Sequence, residues 1–390
     1  MYFQSMRTSS YVADCTEYLT GCKSGKYSSH EQWEGLLRHA NEIFHYGLTH
    51  GFVICGASPA GNHFQTILRT KYGQNAVLVD GDNVRKELER NPEKAFIITS
   101  KKYCAKYSVI LKTAAFYLNY NHLWIIDSCF KIVDAEFTGS DYVRERMEAV
   151  AGNANAFLEM LNDLSDDASK ELLARTLLYR VTLDDRYSIG IKRDELQYFN
   201  QDIISIKPDT IFIDAGVFNG DTLRDFMELS KGQFLHYYFF EPVPALLEQA
   251  KRDILDPRIE FIPCCLWDKD ENVSFNECNS NHMSGHIAPD DGNMSMHAIS
   301  LDHFLDGKPV TFIKMDIEGA EIQALRGAER TIRACKPTLT ISAYHMPDDL
   351  VKIYIFCRSV GGYKLYLRTT EYNLDYELVL YAVRGDACEK

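Results

Sequence analysis

The sequence predicts an α/β protein with two doubly wound domains that are joined by helices. From residue 51 to 127, and again from 210 onward, short apolar runs alternate with segments of helical periodicity, the order that builds parallel sheets. Between them, residues 137–200 show helical spacing and no strand-like runs. We predict these boundaries: a remnant of an expression tag at 1–6, a smaller α/β domain at 7–136, a helical connector at 137–205 and a second α/β domain at 206–390.

In the first domain, four short apolar runs predict the strands. Helical patterns separate them at 62–73, 82–90 and 104–120. The predicted strands are GFVICG (51–56), AVLVD (76–80), AFIITS (95–100) and HLWIID (122–127).

The second domain has five predicted strands and a closing pair. The five lie at 210–216, 237–242, 259–267, 311–319 and 338–345, and the closing pair at 364–370 and 377–384 has an antiparallel pattern. The polar segment 279–300 is too long for a simple turn, so we predict a mobile substrate loop there. Its candidate contacts are His282, Ser284 and His286.

Composition excludes several classes of protein. The 46% hydrophobic content is ordinary for a globular chain, and no apolar run reaches the roughly 18–20 residues that cross a bilayer. A net charge of −13 disfavours binding to nucleic acid. The eleven cysteines are scattered, with no CxxC pair and distant partner pair for a zinc site, which favours reduced thiols and a cytoplasmic location.

A glycine-bearing turn follows the first strand of the second domain. Asp214 ends the apolar run, and Gly216 and Gly220 allow the backbone to turn tightly and approach a ligand. In open α/β sheets, ligands bind beyond the carboxyl ends of the strands. We therefore predict a ligand-binding segment of Asp214, Gly216, Phe218, Asn219, Gly220 and Thr222, although any strand-to-helix turn can share this pattern.

The next two strand ends extend the predicted site. Glu241, followed by Pro242, ends the second strand, where a carboxylate can accept both hydroxyls of a ribose. The third strand ends in Cys265, Leu266, Trp267 and Asp268, whose backbone and side chains are predicted to frame an adenine ring. Trp267 could equally belong to the core. Together these strand ends predict a bound nucleoside.

The stretch TFIKMDIEGAE at 311–321 places charge in and after a buried strand. Alternation predicts Lys314, Asp316 and Glu318 on one face, which is costly unless the groups are paired or used. The structural alternative is an ion pair of Lys314 with one of the two carboxylates. The functional alternative places all three at the ligand edge, with Asp316 also touching the cofactor.

The pattern D-x-G-x-x-x-G with a distant acid resembles class I S-adenosylmethionine binding. More specifically, IDAGVFNGDT, FFEP, IPCCLWD, AISLDHFL, FIKMDIEGAEIQALRGAE and PTLTISAYHMPDDL resemble the FkbM family of methyltransferases over roughly 209–384. Val217 and Phe218 stand where that family usually has alanine and asparagine. The resemblance implies a class I, Rossmann-like methyltransferase domain with S-adenosylmethionine as cofactor. It also implies methyl transfer to a hydroxyl, commonly on sugars or polyketide-type products.

Such a transfer needs a base for the hydroxyl proton. We predict His345, which ends the fifth strand, with Asp316 and Glu318 as rivals, Lys314 as an orienting group and Tyr344 as a substrate contact. A structural histidine bonded to a carboxylate is the alternative. A magnesium ion held by Asp316 and Glu318 is an open alternative, but carboxylates alone do not establish one, and the predicted site includes no metal.

The first domain contains GASPAGNH (56–63), which has the glycine spacing of a phosphate loop. Asn62 and His63 stand where the lysine and hydroxyl should be, so phosphoryl transfer is the weaker alternative and a non-catalytic nucleotide-binding scaffold another. We predict a degenerate Rossmann-like accessory domain, with Asp80 as the ribose contact if it binds a nucleotide. The expected partner is a small-molecule or glycan acceptor, with a homodimer left open.

Overall fold

The computed structural model describes residues 10–57, 59–81, 83–98, 123–125, 140–188, 190–217, 220–276, 285–288, 292–371 and 374–385. Helices and strands are numbered below in chain order within these ranges. The chain divides into two compact units, one from segments 1–158, 173–191 and 372–375, the other from 159–172, 192–371 and 376–390. The predicted tag remnant at 1–6 and predicted helix at 104–120 lie outside the described residues.

The first unit contains a parallel sheet with helices. Its described strands are β1 (Phe52–Cys55), β2 (Val77–Val79), β3 (Ala95–Ile98) and β4 (Leu123–Ile125), which pair in the order β2-β1-β3-β4. The helices are α1 (Tyr11–Lys23), α2 (Ser29–His50), α3 (Pro59–Tyr72) and α4 (Asn83–Arg90). Strand β1 is buried throughout, so its apolar run supplies the centre of this core.

Three helices lie within the described part of the segment 137–205, which the sequence predicts to be helical. They are α5 (Ser140–Gly152), α6 (Ala154–Asp163) and α7 (Asp167–Thr182), followed by a 3₁₀ turn at Asp185–Ser188. The helical content matches the sequence pattern. The exact boundaries of the three predicted domains stay predictions.

The second unit is built on a seven-stranded sheet in the order β14-β15-β13-β12-β5-β6-β7. The parallel strands are β5 (Ile211–Ala215), β6 (His236–Phe240), β7 (Ile259–Ile262), β12 (Phe312–Met315) and β13 (Thr338–Ser342). The closing strands, β14 (Tyr363–Thr369) and β15 (Leu378–Arg384), pair antiparallel as predicted. The strand order reverses between β5 and β12, which is where open α/β sheets bind ligands.

Helices cover this sheet. They are α8 (Asp221–Ser230), α9 (Pro244–Asp253), α10 (Leu301–Leu305), α11 (Glu321–Arg326), α12 (Glu329–Cys335) and α13 (Asp349–Val360). One core is aromatic: the rings of Phe212 and Phe312 stack at 4.6 Å between adjacent strands, and Phe226 of α8 packs on Phe212 at 5.0 Å. This packing fixes the strands whose ends carry the site.

A small second sheet corrects two predictions. The predicted strand 259–267 is two strands, β7 and β8 (Cys265–Leu266), and β8 joins the order β10-β9-β11-β8. The others are β9 (Glu271–Asn276), β10 (His286–Ile287) and β11 (Met294–Ile299), so the predicted loop 279–300 is in part regular sheet. Ala298 of β11 is buried in the core of this sheet with Val273 and Phe275 of β9, and Ile287 and Met296 pack against it, so apolar residues within the polar segment anchor its strands. Among the helices that the structure describes, none has the length and apolar character needed to traverse a bilayer.

Candidate functional site

The turn after β5 crosses the end of β12 at very short range. Gly216 has φ +78°, and a Cβ at this position would lie 1.7 Å from the carbonyl oxygen of Asp316. Only glycine allows this crossing. The backbone N–H of Asp316 donates to the carbonyl of Ala215 at 3.0 Å, so the turn after β5 and the segment after β12 are in direct backbone contact.

Asp214 and Lys314 form a buried ion pair beneath this edge. They face each other in the β5–β12 register, Nζ and Oδ1 are 3.1 Å apart, and both side chains are at most 1% exposed. Lys314 also donates to the carbonyls of Ala215 and Gly216, and the Tyr237 hydroxyl donates to Asp214. Burial raises the pKa of Asp214, and Lys314 opposes that rise.

This pair corrects the partner expected for Lys314. The sequence alternative paired Lys314 with Asp316 or Glu318, but its charged partner is Asp214 on the neighbouring strand. Strand β12 ends at Met315, so the two later carboxylates are outside the strand. The structure therefore places Asp214 and Lys314 in the interior, supporting the Gly216 turn, rather than lining the edge.

Glu241 lies at the end of β6, next to the Gly216 turn. Its side chain is buried, with the residue 4% exposed, and Oε1 accepts a hydrogen bond from the Val243 N–H at 2.9 Å. The N–H of Gly216 donates to the carbonyl of Phe240 at 3.2 Å, which ties the turn to the strand that carries Glu241. A carboxylate held here can accept hydrogen bonds from a ribose.

The remaining predicted nucleoside contacts are spread around these strand ends. Gly220 has φ +76° and precedes α8, and Thr222 is buried in the first turn of that helix. Cys265 and Leu266 are buried in β8, Trp267 packs against the core of the small sheet, and Asp268 is exposed. Pro242 is partly buried. Phe218 and Asn219 lie outside the described residues.

On the other side of the Gly216 turn, Glu321 organises the segment after β12. It is fully buried at the start of α11, and its two carboxylate oxygens accept from the N–H groups of Ile317 and Gly319 at 2.9 and 3.0 Å. Between them, Glu318 has φ +56°, a left-handed conformation that is rare for a side-chain-bearing residue. The clamp by Glu321 holds Glu318 in this conformation.

The same carboxylate orients His345, which follows β13. Nδ1 of His345 lies 2.9 Å from Oε1 of Glu321, and Nε2 lies 3.4 Å from Oδ1 of Asp316 and 3.6 Å from Oε2 of Glu318. Burial lowers the pKa of His345, but Glu321, with Asp316 and Glu318, outweighs it and raises the pKa to about 9. The structure thus brings the three candidate bases together.

Further polar groups surround this cluster. The Tyr198 hydroxyl donates to Oδ2 of Asp316 at 2.8 Å. Tyr344, 9% exposed, has its hydroxyl 3.4 Å from Oε1 of Glu377, and Gln197 donates to the other Glu377 oxygen. Burial and the charge of Asp316 raise the pKa of Glu377 to about 7. Ligand atoms of Asp316, Glu321 and His345 all lie within 4.8 Å of one another, a spacing that a divalent cation could use.

Sequence reasoning assigned no role to Glu321, Tyr198 or Glu377. Glu321 had only a general signal, an acidic residue in the first turn of a helix, which does not indicate that its carboxylate accepts from the segment before the helix. Tyr198 and Glu377 had none, because they lie far from the cluster in sequence. Of the predicted substrate contacts, His286 is exposed on β10, and His282 and Ser284 lie outside the described residues.

In the first unit, the predicted phosphate loop is shortened by a helix. Gly56 follows β1 with φ +118°, but α3 already begins at Pro59, so Gly61 is helical. A phosphate loop needs a longer run of backbone N–H groups between strand and helix. This geometry does not favour phosphoryl transfer at residues 56–61.

The sheet order, the Gly216 turn and the acid at the end of β6 are consistent with a class I methyltransferase fold. A profile of the methyltransferase FkbM domain matches residues 214–365, so the chain carries an FkbM methyltransferase domain there. A solved methyltransferase FkbM from Methylobacillus flagellatus KT has a similar fold, with 20% identity and a TM-score of 0.65 over 91% of this chain and 100% of that chain. An rRNA methylase from Streptococcus thermophilus, at 17% identity, has a TM-score of 0.30 over 46% of this chain and 88% of its own. No curated protein matches the sequence.

S-adenosylmethionine is the cofactor of this domain family, and the described residues suit it. The buried Glu241 offers a charged acceptor for ribose hydroxyls, and the Gly216 turn offers backbone at a distance that a side chain would block.

Proposed function

We propose that the protein transfers a methyl group from S-adenosylmethionine to a hydroxyl of a sugar, a glycan or a natural product. One observation carries the proposal: the turn that would hold the cofactor is in backbone contact with the segment that bears the polar cluster. The Asp316 N–H bonds to Ala215, and Gly216 crosses over the Asp316 carbonyl. An acceptor bound at the cluster is thereby next to the cofactor turn.

When bound, the cofactor supplies an electrophilic methyl group on a sulfonium. The acceptor oxygen forms a new bond to the methyl carbon as the carbon–sulfur bond breaks, and the hydroxyl proton must leave at the same time. Asp316 and Glu318 are the described groups that we propose take that proton, whereas His345, with its pKa raised to about 9, can take it only after losing its own proton. Glu321 directs Nε2 of His345 toward the two carboxylates and keeps Glu318 at the edge.

For the first unit we propose a binding role and no chemistry. Its parallel sheet supports a Rossmann-like accessory domain that binds the acceptor, its nucleotide carrier or a second subunit. The helix that begins at Pro59 argues against phosphoryl transfer there.

The proposed function is tested on the full chain. Calorimetry should detect one S-adenosylhomocysteine per chain, and labelled methyl from S-adenosylmethionine should appear on hydroxyl-bearing acceptors drawn from sugar, glycan and extract pools. Alkali-stable label on an ether oxygen supports O-methylation. Cofactor binding with label found only on nitrogen, sulfur or carbon would overturn the hydroxyl assignment.

A further inference from the structure

Two side-chain atoms of the polar cluster after β12 and β13 face each other without a hydrogen bond. Oδ1 of Asp316 and Nε2 of His345 are both buried, and neither has a hydrogen-bond partner among the residues that the structure describes. They lie 3.4 Å apart, and the His345 side chain is only 9% exposed. A buried polar atom without a hydrogen bond is costly, and two of them this close together are spaced as two ligands of one ion would be.

We propose that Asp316 and His345 bind a divalent transition-metal ion at the acceptor side of the Gly216 turn. Two ligand atoms that are each about 2.1 Å from one ion lie roughly 3.0–3.4 Å apart, depending on the coordination geometry. The observed separation falls at the upper end of that range.

The groups behind these two ligands are arranged as in metal sites. Glu321 lies 2.9 Å from Nδ1 of His345 and can accept its N–H, so Nε2 is the ring atom that faces Asp316 and would bind an ion once its proton is displaced. Tyr198 donates to Oδ2 of Asp316 at 2.8 Å and leaves Oδ1 to face the histidine. Asp316 and His345 therefore each have a hydrogen-bonding partner that orients them and raises their basicity as metal ligands.

The negative charge around His345 and the solvent exposure of the nearby carboxylates are both suited to binding a cation. Asp316, Glu318 and Glu321 converge on one imidazole, whereas the nearby Lys314 is paired with Asp214. The side chains of Asp316 and Glu318 are 25% and 37% exposed, which leaves open positions for water and an acceptor hydroxyl. Imidazole with carboxylate suits Mn²⁺, Fe²⁺ or Zn²⁺ better than Mg²⁺ or Ca²⁺.

The catalytic role that we assign to the ion rests on the proposed function, because it requires transfer of a methyl group to a hydroxyl. A hydroxyl bound to the ion loses its proton more readily, and Glu318 lies beside the ion to receive that proton as the oxygen bonds to the methyl carbon. Two vicinal hydroxyls would occupy two open positions. The inference therefore favours an acceptor with neighbouring oxygen ligands, as in a sugar or a catechol-like ring.

Metal-free protein is titrated with Mn²⁺, and the free ion is followed by electron paramagnetic resonance. The wild type should bind one Mn²⁺ per chain, and Asp316→Asn and His345→Ala should each weaken binding at least about tenfold. Asp316→Asn preserves the side-chain shape, and circular dichroism checks the fold of each variant. His303→Ala is the matched control, because His303 forms an exposed pair with Asp270 and should leave binding unchanged.

The outcomes separate the site from the reaction. No Mn²⁺ bound by the wild type, or equal binding by all variants, would overturn the site. Zn²⁺ should displace Mn²⁺, and equally effective displacement by Mg²⁺ would contradict the transition-metal assignment. Bound Mn²⁺ without transfer to any hydroxyl would defeat the proposed function alone. Full-rate transfer by metal-free protein would defeat the catalytic role of the ion alone.

Discussion

At the scale of single residues, Glu321 contacts three separate groups of the candidate site. Its carboxylate is fully buried, yet it contacts the N–H groups of Ile317 and Gly319 and the imidazole of His345. These contacts offset the cost of burying a charge. They also hold Glu318 in a backbone conformation that costs about 1–3 kcal/mol. Glu321 therefore stabilises the strained backbone of Glu318, and it can do so without contacting a ligand.

Glu241→Ala should weaken binding of S-adenosylhomocysteine by roughly ten- to a hundredfold. The ribose would lose a charge-assisted hydrogen bond worth about 1.5–3 kcal/mol. Calorimetry on folded protein measures the change. Glu260→Ala is the control, because Glu260 lies on the neighbouring β7 with a 54% exposed side chain. Equal affinity in the wild type and Glu241→Ala would remove the ribose role.

At the scale of secondary-structure elements, the Asp214–Lys314 pair joins β5 to β12. Lys314→Met should destabilise the fold by about 3–5 kcal/mol, because a buried carboxylate is left without its cation. Denaturant unfolding provides the measurement. Adding Asp214→Leu to Lys314→Met should recover part of the loss. The exposed pair of Lys251 with Glu248, 2.9 Å apart, is the control, and Lys251→Met should change stability by less than about 1 kcal/mol. A similar loss for both single variants would contradict the argument.

The start of α13 carries a pH-dependent contribution to stability. Asp349 is 2% exposed and accepts from the Met346 N–H at 2.6 Å. Burial and the charge of Glu321 raise its pKa to about 7, with Asp348 adding to the rise and His345 opposing it. Because the folded pKa lies above the unfolded value, this group stabilises the fold at low pH. That contribution is lost as the pH rises from about 4 to about 7.

Asp349→Asn should therefore raise the unfolding temperature at pH 8 by about 2–4 °C and have a smaller effect at pH 5. The amide can still accept from Met346 and carries no charge at either pH. Thermal unfolding at both pH values tests this. The same substitution at the exposed Asp209 should show no such gain. A gain for Asp349→Asn that is equal at both pH values would contradict the pKa argument.

The elements also show where sequence patterns were sufficient. Strands β5, β6, β12 and β13 were predicted because each is a short apolar run that ends in polar residues at the site. The small sheet was missed because β9 has only two apolar residues in six, β11 has only one buried residue and β10 has only two residues, so none of them is an apolar run. Pairings across the fold, such as Lys314 with Asp214 or Glu321 with His345, depend on strand register and helix placement. Local alternation does not contain that information.

At the scale of the whole molecule, two α/β units share one chain and differ in what their strand ends offer. The strand ends of the second unit carry Gly216, Glu241, Asp316 and His345. In the first unit, Gly61 of the predicted phosphate loop lies within α3, and Asn62 and His63 follow it. The full chain should therefore bind S-adenosylhomocysteine and give no heat with ATP at the same concentration. Tight ATP binding without a response to S-adenosylhomocysteine would reverse the assignment of the two units.

The net charge of −13 disfavours an acceptor that has a phosphate backbone. A strongly acidic protein repels phosphate backbones, and each Lys or Arg contact to phosphate must overcome that field. When cell extract is incubated with the full chain and labelled S-adenosylmethionine, label should enter small molecules or glycans rather than RNA or DNA. Heat-inactivated protein provides the background, and nuclease and glycosidase digestion locate the label. Label that nuclease releases and glycosidase leaves untouched would show that a local surface overcomes the net charge, and it would exclude the proposed acceptor class.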